Sequence, residues 1–200
     1  KASDGTPNDA VTDFASQLRE HKFANEIATR YGYTVALMRE QNYPVAEQEI
    51  AKLQRLRASS PMIDAVSADL RQKMGDLPGA LNILRAAQTH YPEQRGLSYS
   101  LAETLLAANQ LQDALRFTMD DLQNYPGDIR MHEIQARIYS VMGKRLQQHR
   151  AQAEAYALQG QLMMAIEQLH FAQKSGDGDY FEHSQVDARL RVGRRTGRAR

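Results

Sequence analysis

Two tracks of alanine run along this chain at one fixed interval. Ala46, Ala80 and Ala114 form the first, and Ala68, Ala102 and Ala136 the second, each advancing by 34 residues per step. Gly75, Asn109 and Gly143 keep the same interval, and so do Pro92 and Pro126. When small, turn-forming and helix-starting residues all share one period, the chain is built from copies of one supersecondary unit, each packing on its neighbours.

A period of 34 with this alanine pattern is the signature of tetratricopeptide repeats, in which each copy is a hairpin of two helices. The expected fold is all-α: a tetratricopeptide-repeat (TPR) solenoid of antiparallel helix hairpins, with about four to five repeats. Small residues stand where the two helices of a hairpin cross, because they let the backbones approach. A large residue follows four positions after the alanine in Ile50 and Leu84, whereas Thr118 departs from the pattern, so Leu115 and Leu122 are expected to fill that layer.

The organisation follows from turn and helix signals. Residues 1–11, small and polar, read as a disordered segment or linker, with the first helix starting near Thr12 or Asp13 and the TPR superhelix spanning 12–191. Pro44, Pro61 and Pro78 each sit at a helix start, where a missing N–H is harmless. Repeats are expected to begin near residues 27, 61, 95, 129 and 146. After Gly143 the next turn glycine is Gly160, a step of 17 residues, half a repeat. One helix near 144–158 is therefore shared, closing one hairpin and opening the next. A loop at 174–179 leads to a capping helix from Tyr180 to about Leu190, and 192–200 read as a basic disordered tail.

Composition narrows the function classes. The sequence has no cysteine, so disulfides are excluded, and no apolar run of the roughly 20 residues that span a bilayer. The net charge is +1, but six arginines from Arg189 onward leave the rest of the chain at about −5. No aromatic residues interleave with those arginines to make a stacking platform, so nucleic acid is not an expected partner. The chain begins at Lys1 without a signal-peptide pattern and reads as a piece of a longer protein.

Catalytic and metal motifs fail on inspection. His132-Glu133-Ile134-Gln135-Ala136 begins like HExxH, but Ala136 stands where the second ligand is required and belongs to the packing track. Asp177 and Asp179 are too few for a calcium loop and read as a plain turn. No nucleophile and base pairing and no phosphate loop occurs, so neither catalytic residues nor a cofactor are expected in this chain.

Binding remains. In a TPR superhelix the first helix of each hairpin lines the concave face at offsets of one, four, eight and eleven residues into the repeat. That register gives Tyr31, Val35, Met38, Met62, Asp69, Gln72, Tyr99, Glu103, Leu106, Arg130, Glu133, Arg137, Arg150 and Glu154 as candidates for a groove that holds an extended peptide. Any one of them packs equally well against the next hairpin. The Lys and Asn pattern that clamps a C-terminal carboxylate is not matched, since Ala65, Asp69 and Tyr99 stand among those positions.

The stretch RAQAEAYALQGQLMMAIEQLHFAQKSGDGDYFEHSQVDARLR, residues 150–191, resembles the end of the β-barrel assembly-enhancing proteases, the BepA/YfgC-like periplasmic zinc metallopeptidases. RYGYTVALMREQNYPVAEQEI, residues 30–50, resembles that family's first repeat, so the resemblance covers about 12–191. It implies a non-catalytic arm of a periplasmic zinc metalloendopeptidase whose zinc lies in a separate peptidase domain. The implied partners are outer-membrane barrel substrates, the β-barrel assembly machinery and the protein's own peptidase domain. The alternative is a free-standing TPR adaptor that mediates protein–protein interactions.

Overall fold

The computed structural model describes residues 7–56 and 60–198. Among them are eleven helices and no strand: α1 (Pro7–Arg19), α2 (Glu26–Arg39), α3 (Tyr43–Leu56), α4 (Pro61–Lys73), α5 (Leu77–His90), α6 (Arg95–Ala107), α7 (Leu111–Asn124), α8 (Ile129–Val141), α9 (Arg145–Leu158), α10 (Leu162–Gln173) and α11 (Tyr180–Arg198). They fall into two compact units, Lys1–Thr104 and Leu105–Arg200, with the division inside α6.

The turn residues behave as the period demands. Gly75, Asn109, Gly143 and Gly160 all adopt positive φ, and so does Gln41 at the matching place in the first hairpin, at φ 59°. Just past each of these residues an amide reaches back five residues: Asn42 to Leu37, Asp76 to Arg71, Gln110 to Leu105, Lys144 to Tyr139 and Gln161 to Tyr156, all at 2.8–2.9 Å. This is the Schellman closure of a helix C-terminus, repeated five times, and it sets the same exit angle after each of these helices.

In the first unit, α2 pairs with α3 and α4 with α5, and α2 also touches α4. Ala46, Ala68 and Ala80 are buried at the crossings. Leu37, Met38, Ile50, Val66 and Leu70 make the core between α2, α3 and α4. Polar clamps supplement it. Arg30 of α2 reaches Glu49 of α3 at 2.7 Å and Glu26 at 2.8 Å, and Lys52 meets the buried Glu49 at 2.6 Å, so that carboxylate is compensated on both oxygens. A Cβ on Gly32 would lie 2.7 Å from the tip of the Phe14 ring, so α1 meets α2 with that ring seated over a glycine.

Three expectations about local structure are corrected. The first helix begins at Pro7, inside the segment read as linker, with Asp9 in its first turn at the positive end of the helix dipole. Residues 1–6 of that expected linker lie outside the described residues. At the other end α11 runs on to Arg198 through the expected tail, because arginine is a good helix former and no proline follows Leu190. Residues 199 and 200 lie outside the described residues. Thr118 is itself the fully buried residue of its layer, its hydroxyl donating to the Leu115 carbonyl at 3.0 Å, while Leu115 and Leu122 stay half-buried. That intrahelical bond satisfies the hydroxyl and lets threonine stand in for a larger apolar side chain.

In the second unit the half-repeat slip is realised by α9, which packs against α8 on one side and α10 on the other. A helix crossed closely on two faces needs small residues on both, and Ala151, Ala153 and Ala155 are all buried. Helix α11 packs on α10 and also touches α9. The α9–α11 contact repeats the α2–α4 relation between first helices of successive hairpins. Leu146, Leu169, Val186 and Leu190 form the core that holds α11 in that position.

The loop before α11 does more than turn. Lys144 precedes α9 and offers no capping side chain, and Asp177 supplies the cap instead, accepting from the Leu146 N–H at 3.0 Å. Gly178 beside it has φ 86°, and a Cβ there would come within 2.6 Å of Leu146. Asp179 and Glu182 exchange backbone bonds at 2.8 and 3.0 Å, a capping box that opens α11.

Candidate functional site

The groove positions expected from the register divide by unit. In the first, Tyr31 and Val35 on α2 are half-buried against the core, and Met38 is buried within it, so only the edge of Met38 is available to a ligand. The reason is helical geometry: Met38 follows Leu37 into the seam between α2 and α3 and contributes to both surfaces. Asp69 on α4 is about half exposed and pairs loosely with Lys73 at 3.7 Å. Met62 is exposed, Gln72 donates to the Thr104 hydroxyl at 2.8 Å, and the Tyr99 ring carries the Arg95 guanidinium at 5.3 Å. Glu103 is half-buried.

Between α2 and α4 these residues enclose a concavity of about 260 Å³, lined by Val35, Met38, Arg39, Asp69 and Lys73. Three of the five are expected from the register. Arg39 and Lys73 are not, because they lie one residue beyond its last offset, yet their spacing of 34 is itself a visible signal. The apolar wall is Val35 and Met38, and the rim carries two cations and one carboxylate.

The second unit spends its register positions differently. Arg150 donates to the Gln185 side-chain oxygen, Gln147 donates to Glu182, and Glu154 accepts two bonds from Arg189 at 2.6 and 2.8 Å. These three pairs share one sequence separation of 35 residues and form a polar ladder between α9 and α11. Arg150 and Glu154 thus pair with the capping helix. The physical reason is the slip: it places α11 where the next hairpin's first helix would lie.

Glu154 raises the Arg189 guanidinium above its ordinary range, first through their hydrogen bonds, as a strong charge-assisted pair does. Arg130 and Arg137 on α8 are exposed, Leu106 is half-buried, and Glu133 accepts from Gln159 at 3.0 Å. A smaller concavity of about 80 Å³ lies between α8 and α9, where Gln135 and Tyr139 meet Arg150 and Glu154. Burial pushes the Tyr139 phenol up, with the Arg150 charge opposing it.

The motif that begins like HExxH has a structural explanation. His132 faces the Pro126 carbonyl at 3.0 Å, and Ala136, four residues on, is buried in the packing track. Among the described residues no three His, Asp or Glu side chains are grouped to hold an ion. Asp177 and Asp179, in the loop read as a plain turn, serve as helix caps.

Comparison with known proteins agrees with this architecture. The tetratricopeptide repeat family model matches residues 72–138. No curated protein sequence matches the chain. Among solved structures, a thermophilic TPR protein of Thermus thermophilus is 19% identical with a TM-score of 0.52, over 82% of this chain and 98% of that one. MamA from Desulfovibrio magneticus RS-1 is 17% identical, TM-score 0.57, over 87% and 89%. YrrB, a TPR protein with an unusual peptide-binding site, is 16% identical, TM-score 0.58, over 80% and 82%. At such identities the likeness concerns the fold alone. The fold of this chain is that of the tetratricopeptide-repeat solenoids.

Proposed function

We propose that this chain is a non-catalytic region that binds proteins and extended peptides. The observation that carries the reading is the concavity between α2 and α4, where the apolar Val35 and Met38 meet the charged Arg39, Asp69 and Lys73. Such a mixed surface takes an extended segment by burying one side chain and pairing the next. YrrB, which shares the fold, has a peptide-binding site of its own. A photocrosslinking scan tests it: probes at Tyr31, Val35 and Asp69 should trap partners, and probes at Gln54 and Arg85 on α3 and α5 should not. Trapping only from α3 and α5 would overturn the reading.

The finer reading rests on the resemblance of residues 150–191. By it, the chain is the docking arm of a periplasmic zinc metalloendopeptidase in outer-membrane β-barrel assembly and quality control. The arm would hold a barrel substrate or the assembly machinery and raise its effective concentration at the peptidase domain. By the same resemblance the zinc would lie in that other domain. An HExxH helix and a signal peptide encoded upstream support this, and their absence would sink it. Cell-envelope pull-downs with residues 12–191 present and deleted should differ in captured barrel components.

A free-standing adaptor is the second reading. In its favour, the TPR chains compared above share this fold over 82–98% of the length solved for each.

A further inference from the structure

Arg39 and Lys73 occupy the same place in successive hairpins, the last residue of α2 and of α4. Cations at helix C-termini are favoured by the dipole, yet α6 and α8 end at that position on Ala107 and Val141. The dipole favours such cations without requiring them, and Arg19 and Arg55 likewise stand in the last turns of α1 and α3. Both side chains line the one concavity between α2 and α4.

Their existing partners leave them available. Arg39 has no ion-pair partner among the described residues. Lys73 has only Asp69, at 3.7 Å with both side chains about half exposed, an i,i+4 pair of the weak kind. With two cations against one carboxylate the rim is net positive and attracts an anionic group. At about 260 Å³ the space is below that of a typical small-molecule pocket and suits one or two side chains.

We infer that this concavity is a subsite for an extended acidic peptide segment. A Glu or Asp carboxylate of the segment pairs with Arg39 and Lys73, displacing Asp69, and an adjacent apolar side chain rests on Val35 and Met38. In an extended strand, neighbouring side chains point to opposite sides, and residues two apart share one side. An acidic segment with apolar residues interspersed therefore presents both groups along a short length. The inference rests on the peptide-binding reading and names its substrate class. Its rival is a basic segment held by Asp69, and the two differ in sign.

The test uses the full chain and three fluorescein-labelled decapeptides in which leucine alternates with glutamate, glutamine or lysine. Anisotropy titrations should show the glutamate peptide binding about three- to tenfold more tightly than the glutamine peptide, the range expected for two partly exposed ion pairs. Arg39→Gln with Lys73→Gln should erase that ratio. Asp69→Asn should tighten the glutamate peptide about twofold, because Lys73 loses its competing carboxylate. Raising the salt to about 0.5 M should shrink the ratio.

Equal affinity for the glutamate and glutamine peptides, a ratio that survives the double substitution, or weaker glutamate binding in Asp69→Asn would each overturn the inference. So would failure of all three peptides to bind. Partners trapped at Val35 and Asp69 in the crosslinking scan would keep the broader peptide-binding reading standing in every one of those cases.

Discussion

Asp69 of α4 and Glu154 of α9 occupy the same position of their repeats, each directly after a buried alanine, Ala68 and Ala153. Asp69 borders an open concavity and meets only Lys73 at 3.7 Å. Glu154 is gripped by Nε and Nη2 of Arg189 from α11. The two carboxylates differ because of the helix that packs beside each, not because of their own register. A repeat position fixes the face on which a side chain stands, and the succeeding helix decides whether that face is surface or interface.

This contrast can be broken most forcefully in the second unit's core. Leu146 is fully buried where α9 meets α11, so Leu146→Ala should cost about 2–5 kcal/mol, read as a lower denaturant midpoint. Asp177→Ala should cost about 1 kcal/mol by leaving the first turn of α9 uncapped.

The cap has a pH signature. Burial pushes the Asp177 carboxyl up, but bonds from Ser175 and from the Leu146 and Arg145 amides outweigh it and hold the group below its usual range. A folded-state value below the unfolded one adds stability that is present above the ordinary carboxylate range and is lost as pH falls through the folded value. The difference between the native chain and Asp177→Ala should therefore be full at neutral pH and fade as pH falls below about 4 in chemical denaturation.

Smaller effects sharpen the comparison itself. Glu154→Gln should cost about 0.5–1 kcal/mol, and a double-mutant cycle with Arg189→Gln should recover most of it as coupling. Asp69→Asn, at the equivalent position, should stay within about 0.5 kcal/mol of the native stability. Equal costs at the two positions would show that α11 adds nothing to its ladder.

Much of the fold is legible in the sequence because its determinants are local and periodic. Helix starts near Pro44, Pro61 and Leu77, the turns at Gly75, Asn109 and Gly143, and the slip to Gly160 all depend on residues within a turn of one another. At Gln41 only the positive φ escapes notice, because its side chain gives no hint of the conformation that the repeat imposes on it. Thr118 misleads because its buried hydroxyl is satisfied within its own helix, which composition does not reveal.

The site is legible only in part. Val35 and Asp69 fall on the open concavity, while Met38 is mostly core and Arg39 lies one position past the register. The register puts Arg150 and Glu154 on the correct helix, but their partners lie 35 residues on. Those pairings appear only once the slip is followed to its end and α11 is set beside α9.

The borrowed cap on α9 bears on how the chain comes together in time. Helices α2, α5 and α8 carry their own caps in Asn25, Asp76 and Asp128, so each can start as soon as its first turn exists. Helix α9 takes its cap from Asp177, 31 residues beyond the amide it serves. Closing that long loop has an entropic cost that only the simultaneous arrival of α10 and α11 offsets. The Asp177 bond and the shared core around Leu146 and Val186 thereby couple α9 to the segment that follows α10, so loosening that loop should loosen the start of α9 with it.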